Sequence, residues 1–548
     1  MLLKDKCDRA DGDERRSEHV NPTLLAPLVA AVLLAALARR HNVSAPLVLV
    51  VAGLAVGLIP VVPEITLRAD LVLFVILPPL LWSAGLESSY LNMRRNVRSI
   101  SLLAIGLPLA TTVAVGVVAY HTVPELTLAA GLTLGAIVAP PDAVSATAVG
   151  RRVGLPRRIM TLLGGESLLN DATALTAYKV ALGAAIGTAV SWRHGLATFA
   201  LAAVGGVAVG AALGMVIVYI RSRLDDPLVE SAIGLVAPFV IYLVAEEIHG
   251  SGVLAVVVAA LILGQRFTRA HYATRLQDQA VWRAVQLVLE SFAFLLIGLQ
   301  LPSVVHNLRG IAAATLVVAS AAVFGTVLAV RIGWVVLFAY LPRLVSPRIR
   351  AREPAATPGQ VLVLAWAGMR GVVSLAAAFG VPLTTLAGAP FPGRPQLVFL
   401  TFVVVVGTLL LHGLTLPWLI RRLGVRGDEA RTDAIAAAAA QDKAARAAAD
   451  RLDEVLATTD ASPVNERAAE VLRGWNARRR NAARERLRRD ETDVEDTPSA
   501  TFRRLRLAML DAEREAFIAE RDRGHIDDQV LRAALHGLDL EEATLNLD

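Results

Sequence analysis

Long apolar stretches, separated at short intervals by arginine-rich loops, constrain this chain more than any other feature. A helix that crosses a bilayer needs about 20 largely apolar residues to traverse about 30 Å of hydrocarbon, and it satisfies its own backbone hydrogen bonds where no water is present. Such stretches lie near residues 23–38, 43–60, 70–86, 99–120, 125–149, 158–190, 196–220, 228–248, 251–264, 283–301, 310–340, 359–388 and 396–420. The expectation is an all-α polytopic membrane protein with thirteen transmembrane helices. With 55% hydrophobic and 19% charged residues, the chain is too apolar to cover a water-facing surface.

Loop charge tests that count, because Lys and Arg concentrate in cytoplasmic loops. Alternate loops, taken from the first, hold Arg39 and Arg40; Arg94, Arg95 and Arg98; Arg151, Arg152, Arg157 and Arg158; Arg221 and Arg223; Arg266, Arg269, Arg275 and Arg283; Arg343, Arg348, Arg350 and Arg352; and Arg421, Arg422 and Arg426, which makes 22. The remaining loops hold 4: Arg68, Arg193, Arg309 and Arg394. This bias predicts an external N-terminus and a cytoplasmic C-terminus in the plasma membrane. The charged tail, residues 1–20, has no signal-peptide pattern. Although the pI is 9.7, the basic excess sits in membrane-orienting loops, so nucleic acid is not expected as a partner. The single cysteine, Cys7, excludes a disulfide framework or a multi-cysteine metal site.

Residues 21–423 therefore read as the transmembrane domain. From 424 to 548 the composition turns to Ala, Arg, Asp and Glu with leucines at helical spacing, as in "RLRLAMLDAEREAFIAERD". That segment is expected to form a helical cytoplasmic domain, either regulatory or dimer-stabilising, or simply solvated.

Charged side chains at the bilayer centre cost roughly 2.5–3.5 kcal/mol each on insertion scales, so each one needs a partner, water or a function. The densest cluster is "GGESLLNDATAL", Gly164 to Leu175. Helical spacing puts Glu166 under Asn170 and Ser167 under Asp171, so two carboxylates, a hydroxyl and an amide gather on one helix. They are hard oxygen ligands suited to a small alkali cation; the bland alternative is a hydrogen-bond network between helices. In the fifth span, Pro140 and Pro141 directly precede Asp142. Two missing N–H donors should break the helix mid-membrane beside that carboxylate.

The twelfth span is interrupted by Gly368, Arg370 and Gly371. If spans 1–6 repeat, inverted, as 8–13, the two broken helices fall at matching positions, as inverted-repeat transporters require. Arg370 would then balance Glu166 or Glu290. Glu290 reads equally as an interfacial carboxylate, Lys179 as a counter-charge or a snorkelling residue, and Arg331 as packing or snorkelling.

These motifs resemble those of a known family. "GESLLNDATAL" closely resembles the Glu-Ser-x-x-Asn-Asp signature of monovalent cation:proton antiporters of the sodium/proton exchanger type, and "GMRG" and "ESFAFLLIGL" look like its later motifs, over roughly residues 21–423. The resemblance implies crossed discontinuous helices, a six-helix core beside a dimerisation domain, and elevator-like alternating access in a homodimer. It implies that Asp171 binds the ion or the proton, that Asn170 and Ser167 support it, and that Glu166 pairs with Arg370. Where the family commonly shows Thr-Asp-Pro, this chain has Pro141-Asp142-Ala143, without the threonine oxygen.

The function expected is electroneutral exchange of one monovalent cation, Na+ first and K+ or a broader alkali range second, for one H+. Asp171, Ser167 and Asp142 would hold the transported Na+, with no cofactor. A channel lacks a repeated filter here, an intramembrane hydrolase is disfavoured because the histidines fall almost entirely in loops or span ends, and a primary pump lacks a phosphate-binding loop.

Overall fold

The computed structural model describes residues 25–41, 43–59, 71–142, 146–147, 149–150, 153–187, 192–224, 226–266, 270–308, 311–347, 357–425, 429–458, 462–488 and 498–547. The tail of residues 1–20, and Ala143 beside Asp142, lie outside them. Two compact units result, Met1–Arg426 and Gly427–Asp548. Regular structure among the described residues is helical, apart from an isolated bridge between Thr384 and Pro390.

The helices of the first unit are α1 (Leu25–Arg40), α2 (Ala45–Gly57), α3 (Val72–Glu87), α4 (Tyr90–Arg95), α5 (Val97–Thr122), α6 (Leu128–Val138), α7 (Arg157–Ile186), α8 (Trp192–Arg221), α9 (Pro227–Glu247), α10 (Gly252–Arg266), α11 (Tyr272–His306), α12 (Ala313–Val345), α13 (Pro358–Trp366), α14 (Val372–Phe379) and α15 (Arg394–Leu423). Among the described residues, six helices are by themselves long and apolar enough to cross a membrane: α5, α8, α9, α11, α12 and α15. Four shorter apolar helices, α2, α3, α6 and α10, accompany them. Three of the seven other expected spans fall short for physical reasons. α6, α13 and α14 are short because their spans are interrupted, and α7, though 30 residues long, carries the polar cluster that lowers its hydropathy.

Both interruptions follow from local chemistry. α6 stops at Val138, just before Pro140 and Pro141, where the missing N–H groups and the ring clash end a helix. α13 starts on a capping box in which the Thr357 hydroxyl accepts from the Gln360 N–H and the Gln360 side chain accepts from the Thr357 N–H. It ends at Trp366, before the Gly368–Gly371 segment.

α5, α6, α7, α12, α13, α14 and α15 pack on one another, while α2 packs on α11, and α3 and α8 pack on α10. Small residues allow backbone contact in the second set. A Cβ on Gly210 of α8 would collide with the Ala255 carbonyl oxygen of α10, a small-residue approach common between membrane helices.

The second unit holds α16 (Glu429–Ala457), α17 (Pro463–Arg488), α18 (Pro498–Asp522) and α19 (Asp528–Leu547). α16 packs on α17 and α18 on α19. The latter pair is tied by Arg506, whose Nε and Nη2 donate to the two Glu541 carboxylate oxygens at 2.6 and 2.8 Å, and whose Nη1 donates to Glu513 at 2.8 Å.

Candidate ion-binding site

The two interrupted spans cross. The Asp142 N–H donates to the Met369 carbonyl at 2.6 Å, which joins the unwound stretch after α6 to the one between α13 and α14. A Cβ on Gly371 would lie 2.9–3.0 Å from Cβ, Cγ and Oδ2 of Asp142. Only a residue without a side chain lets that carboxylate lie against the second break.

α7 runs past the crossing. Asn170 Nδ2 donates to the Pro141 carbonyl at 2.8 Å, so the amide takes up an acceptor that the proline break exposes. Its Oδ1 is buried and has no hydrogen-bond partner, although Asn170 is 0% exposed. Asp171, one residue on and 8% exposed, makes no hydrogen bond or ion pair among the described residues, and lies within electrostatic reach of Asp142. Ser167 is half-buried on the same helix. A buried acceptor without a donor is costly, so an unpartnered amide oxygen beside a near-buried carboxylate is the chemistry of a site that takes up a proton or a small cation.

The broken ends are occupied by arginines. A helix C-terminus leaves four carbonyls without intrahelical donors and carries partial negative charge. At the end of α13, Arg331 of α12 donates from Nε to the Ala365 carbonyl at 3.2 Å, and from Nη2 to the carbonyls of Leu364 at 3.3 Å and Ala367 at 3.2 Å. The same guanidinium grips Glu166 of α7, Nη1 to Oε1 at 2.6 Å and Nη2 to Oε2 at 3.1 Å. At the end of α6, Arg370 donates from Nε to the Val138 carbonyl at 3.1 Å, and also to the Gly368 carbonyl. Its backbone N–H donates to Thr408 Oγ1 at 3.1 Å. Each break is thus closed by the guanidinium of one arginine.

Three expectations from the sequence are corrected here. Glu166 pairs with Arg331 and not with Arg370, which forms no ion pair among the described residues and is taken up by backbone carbonyls. Arg331 does not snorkel: its residue exposure is 1%. Nor does Arg370 meet Glu290, which lies on α11 with Oε1 buried and without a partner and feels Asp142 among its neighbouring charges. The signal for Arg331 was present in the sequence, since a guanidinium amid apolar residues in lipid demands a partner. Its partner is 165 residues away along the chain, which no local pattern reveals. Lys179 reaches Glu246 of α9 at 2.7 Å, with the lysine side chain 58% exposed.

A second buried network was also missed. Arg221 Nη2 donates to Asp278 Oδ2 and Ser231 Oγ to Asp278 Oδ1, each at 2.7 Å, and Glu230 lies 3.6 Å from the Arg221 Nε. It joins α8, α9 and α11, apart from the crossing.

Comparison with known proteins gives the following similarities. The family described as "Sodium/hydrogen exchanger, transmembrane" matches residues 28–422. An uncharacterised Na+/H+ exchanger of Mycobacterium tuberculosis, Rv2287, is 34% identical over 541 residues, 95% of this chain and 96% of that protein. The Na+/H+ antiporter ApNhaP of Aphanothece halophytica is 33% identical over 389 residues, 70% of each chain. Among solved structures, the sodium proton antiporter MjNhaP1 of Methanocaldococcus jannaschii at pH 8 superposes with a TM-score of 0.58 at 19% identity, covering 73% of this chain and 97% of that one.

Proposed function

Since the chain belongs to the transmembrane sodium/hydrogen exchanger family, a membrane family of cation/proton antiporters and not of enzymes, we propose that it exchanges one Na+ for one H+ at a single carboxylate, Asp171. The observation that carries this reading is the pairing of the crossing's charges. Both helix ends there hold their own arginine, Glu166 holds Arg331, and Asp171 alone on α7 is an acid with no bonded partner among the described residues.

Competition at that carboxylate would produce antiport. With Asp171 ionised and empty, an uncompensated charge would have to move through a low-dielectric interior, at a cost of several kcal/mol. A bound cation or a bound proton cancels the charge and permits the transition. Asn170 Oδ1, Ser167 and the Asp142 carboxylate are the further oxygens that would complete a cation's shell, and Asn170, being an amide, adds no second charge. The exchange is therefore electroneutral.

Movement would take an elevator form, with α5–α7 and α12–α15 carrying the site against the remaining helices in a homodimer. Thirteen spans in two inverted repeats, an external N-terminus and a cytoplasmic C-terminal domain at the plasma membrane complete the proposal, with control of internal pH as its cellular consequence. One relative supports a broader cation range: a Bacillus pumilus protein, 31% identical over 72% of this chain, is named a sodium, potassium, lithium and rubidium/H+ antiporter.

Proteoliposomes loaded with a pH-sensitive dye test the proposal. Sodium-dependent proton flux should disappear in Asp171→Asn, which removes charge at nearly constant volume, while membrane insertion and folding persist. Flux retained in that variant rules out Asp171 as the carrier. A sustained exchange current that follows the membrane potential rejects one-for-one stoichiometry. An ion panel of lithium, sodium and potassium decides the range.

A further inference from the structure

At one end of α5, α7, α12 and α13, the first unit has a recess of about 100 Å³. Three arginines from three helices line it: Arg98 of α5, Arg158 of α7 and Arg343 of α12, with Gln360 of α13 beside them. Its apolar wall is built on Trp334 and Phe338, whose ring centroids are 4.5 Å apart.

Local backbone chemistry shapes that wall. α5 makes a π-helical turn over Leu102–Gly106, and Trp334 Nε1 donates to the Leu102 carbonyl at 3.0 Å. A Cβ on Gly106 would lie 2.5 Å from the Trp334 ring, so the indole lies flush on the helix. Single π-turns of this kind recur at functional sites.

The recess continues into an open groove of about 540 Å³ between α5 and α12, which shares Arg98, Leu102 and Phe338 with it and adds Ile105 and Pro342. Ile105 is 43% exposed, so the groove opens on the outer surface. No carboxylate lines either concavity among the described residues. A cluster of positive charge at one end of an apolar channel is complementary to an anionic amphiphile. The arginines already have contacts of their own, but a guanidinium carries five N–H donors and serves several acceptors at once.

We propose that recess and groove together bind one anionic phospholipid, its phosphate among Arg98, Arg158 and Arg343 and an acyl chain along the groove past Ile105. Basic pockets between membrane helices at the bilayer surface select such headgroups. The occupant would lie close to the ion-binding site, because Leu364, which lines the recess, lends its carbonyl to Arg331.

Native mass spectrometry of the delipidated full chain, titrated with phosphatidylglycerol or phosphatidylcholine, tests this. Each arginine contributes about fivefold toward a lipid of net negative charge, so wild type should prefer phosphatidylglycerol, by up to about a hundredfold, over phosphatidylcholine, whose choline cation offsets the same phosphate. The triple variant Arg98→Gln/Arg158→Gln/Arg343→Gln should lose that preference, whereas Arg94→Gln/Arg95→Gln, outside the recess, should keep it. Ile105→Trp fills the groove without touching a charge, and should weaken both lipids severalfold; it keeps the test alive if the triple variant does not fold. Equal binding of the two lipids, a preference that survives the triple variant, no weakening in Ile105→Trp, or displacement of the lipid by millimolar inorganic phosphate would overturn the proposal.

Discussion

A double-mutant cycle on Glu166 and Arg331 tests the part of the site that sequence reasoning got wrong. The two side chains are 2% and 1% exposed and meet at 2.6 Å, so their attraction is poorly screened. Unit charges about 4 Å apart attract by about 4 kcal/mol at an effective dielectric of 20, and removing one partner of a buried pair costs about 3–5 kcal/mol. Arg331→Gln should lie at the upper end, because it also strips donors from the carbonyls of Leu364, Ala365 and Ala367 at the end of α13. Glu166→Gln should cost less, since Arg331 keeps those three acceptors. The coupling energy should be about 2–3 kcal/mol, within the range measured for residues in one ion-pair network. The parallel cycle of Glu166 with Arg370 should give under about 1 kcal/mol, because Arg370 bonds Val138 and Gly368 and feels Glu166 only as a secondary charge. Equilibrium unfolding of the purified protein in mixed micelles measures wild type and all five variants. Two results would refute the assignment: a larger coupling with Arg370 than with Arg331, or a cost for Arg331→Gln below about 1 kcal/mol, as expected of a side chain whose head reaches solvent.

Three further outcomes are expected. Gly371→Ala would bring a methyl within 3.0 Å of the Asp142 carboxylate and push the two breaks apart; sodium-dependent flux in proteoliposomes should fall at least about tenfold, equivalent to about 1.4 kcal/mol, and unchanged flux would mean that the Asp142 position is immaterial. Lys179→Gln should change transport rate little, because Lys179 lies about two turns along α7 from Asp171 and pairs with Glu246 of α9; a drop as large as that of Asp171→Asn would make Lys179 part of the site. In the second unit, the Arg506 guanidinium holds the Glu541 carboxyl below its usual range, so the stability this contact lends is complete above about pH 4.3 and is lost as pH falls through the lowered value. Amide protection in α18 and α19 of the full chain, taken relative to the intrinsic exchange rate at each pH, should therefore fall on acidification from pH 6 to pH 3, and the fall should be smaller in Arg506→Gln.

Much of the candidate site was legible because lipid makes polarity conspicuous. Glu166, Ser167, Asn170 and Asp171 stand out in an apolar stretch, and one helix then carries all four, as their spacing implies. Pro140 and Pro141 mark the first interruption through chemistry internal to the residue, namely the missing N–H. Gly368 and Gly371 mark the second, although their use is steric: one seats the Arg331 side chain and the other the Asp142 carboxylate. Length and hydropathy were less reliable guides for the broken spans, whose helical pieces run only 8–11 residues.

Composition and periodicity alone determined that this chain is helical and membrane-embedded, where its helices break and which acids lie within the apolar segments, because each of those properties is set by a residue and its near neighbours. Partnership was decided by the tertiary structure. Arg331 and Arg370 are both arginines set in apolar sequence, and nothing local distinguishes the one that binds Glu166 from the one that closes α6. That choice depends on which helix ends the folded chain brings beside each guanidinium, and orphan carbonyls at the end of a broken helix attract a cation as a carboxylate does.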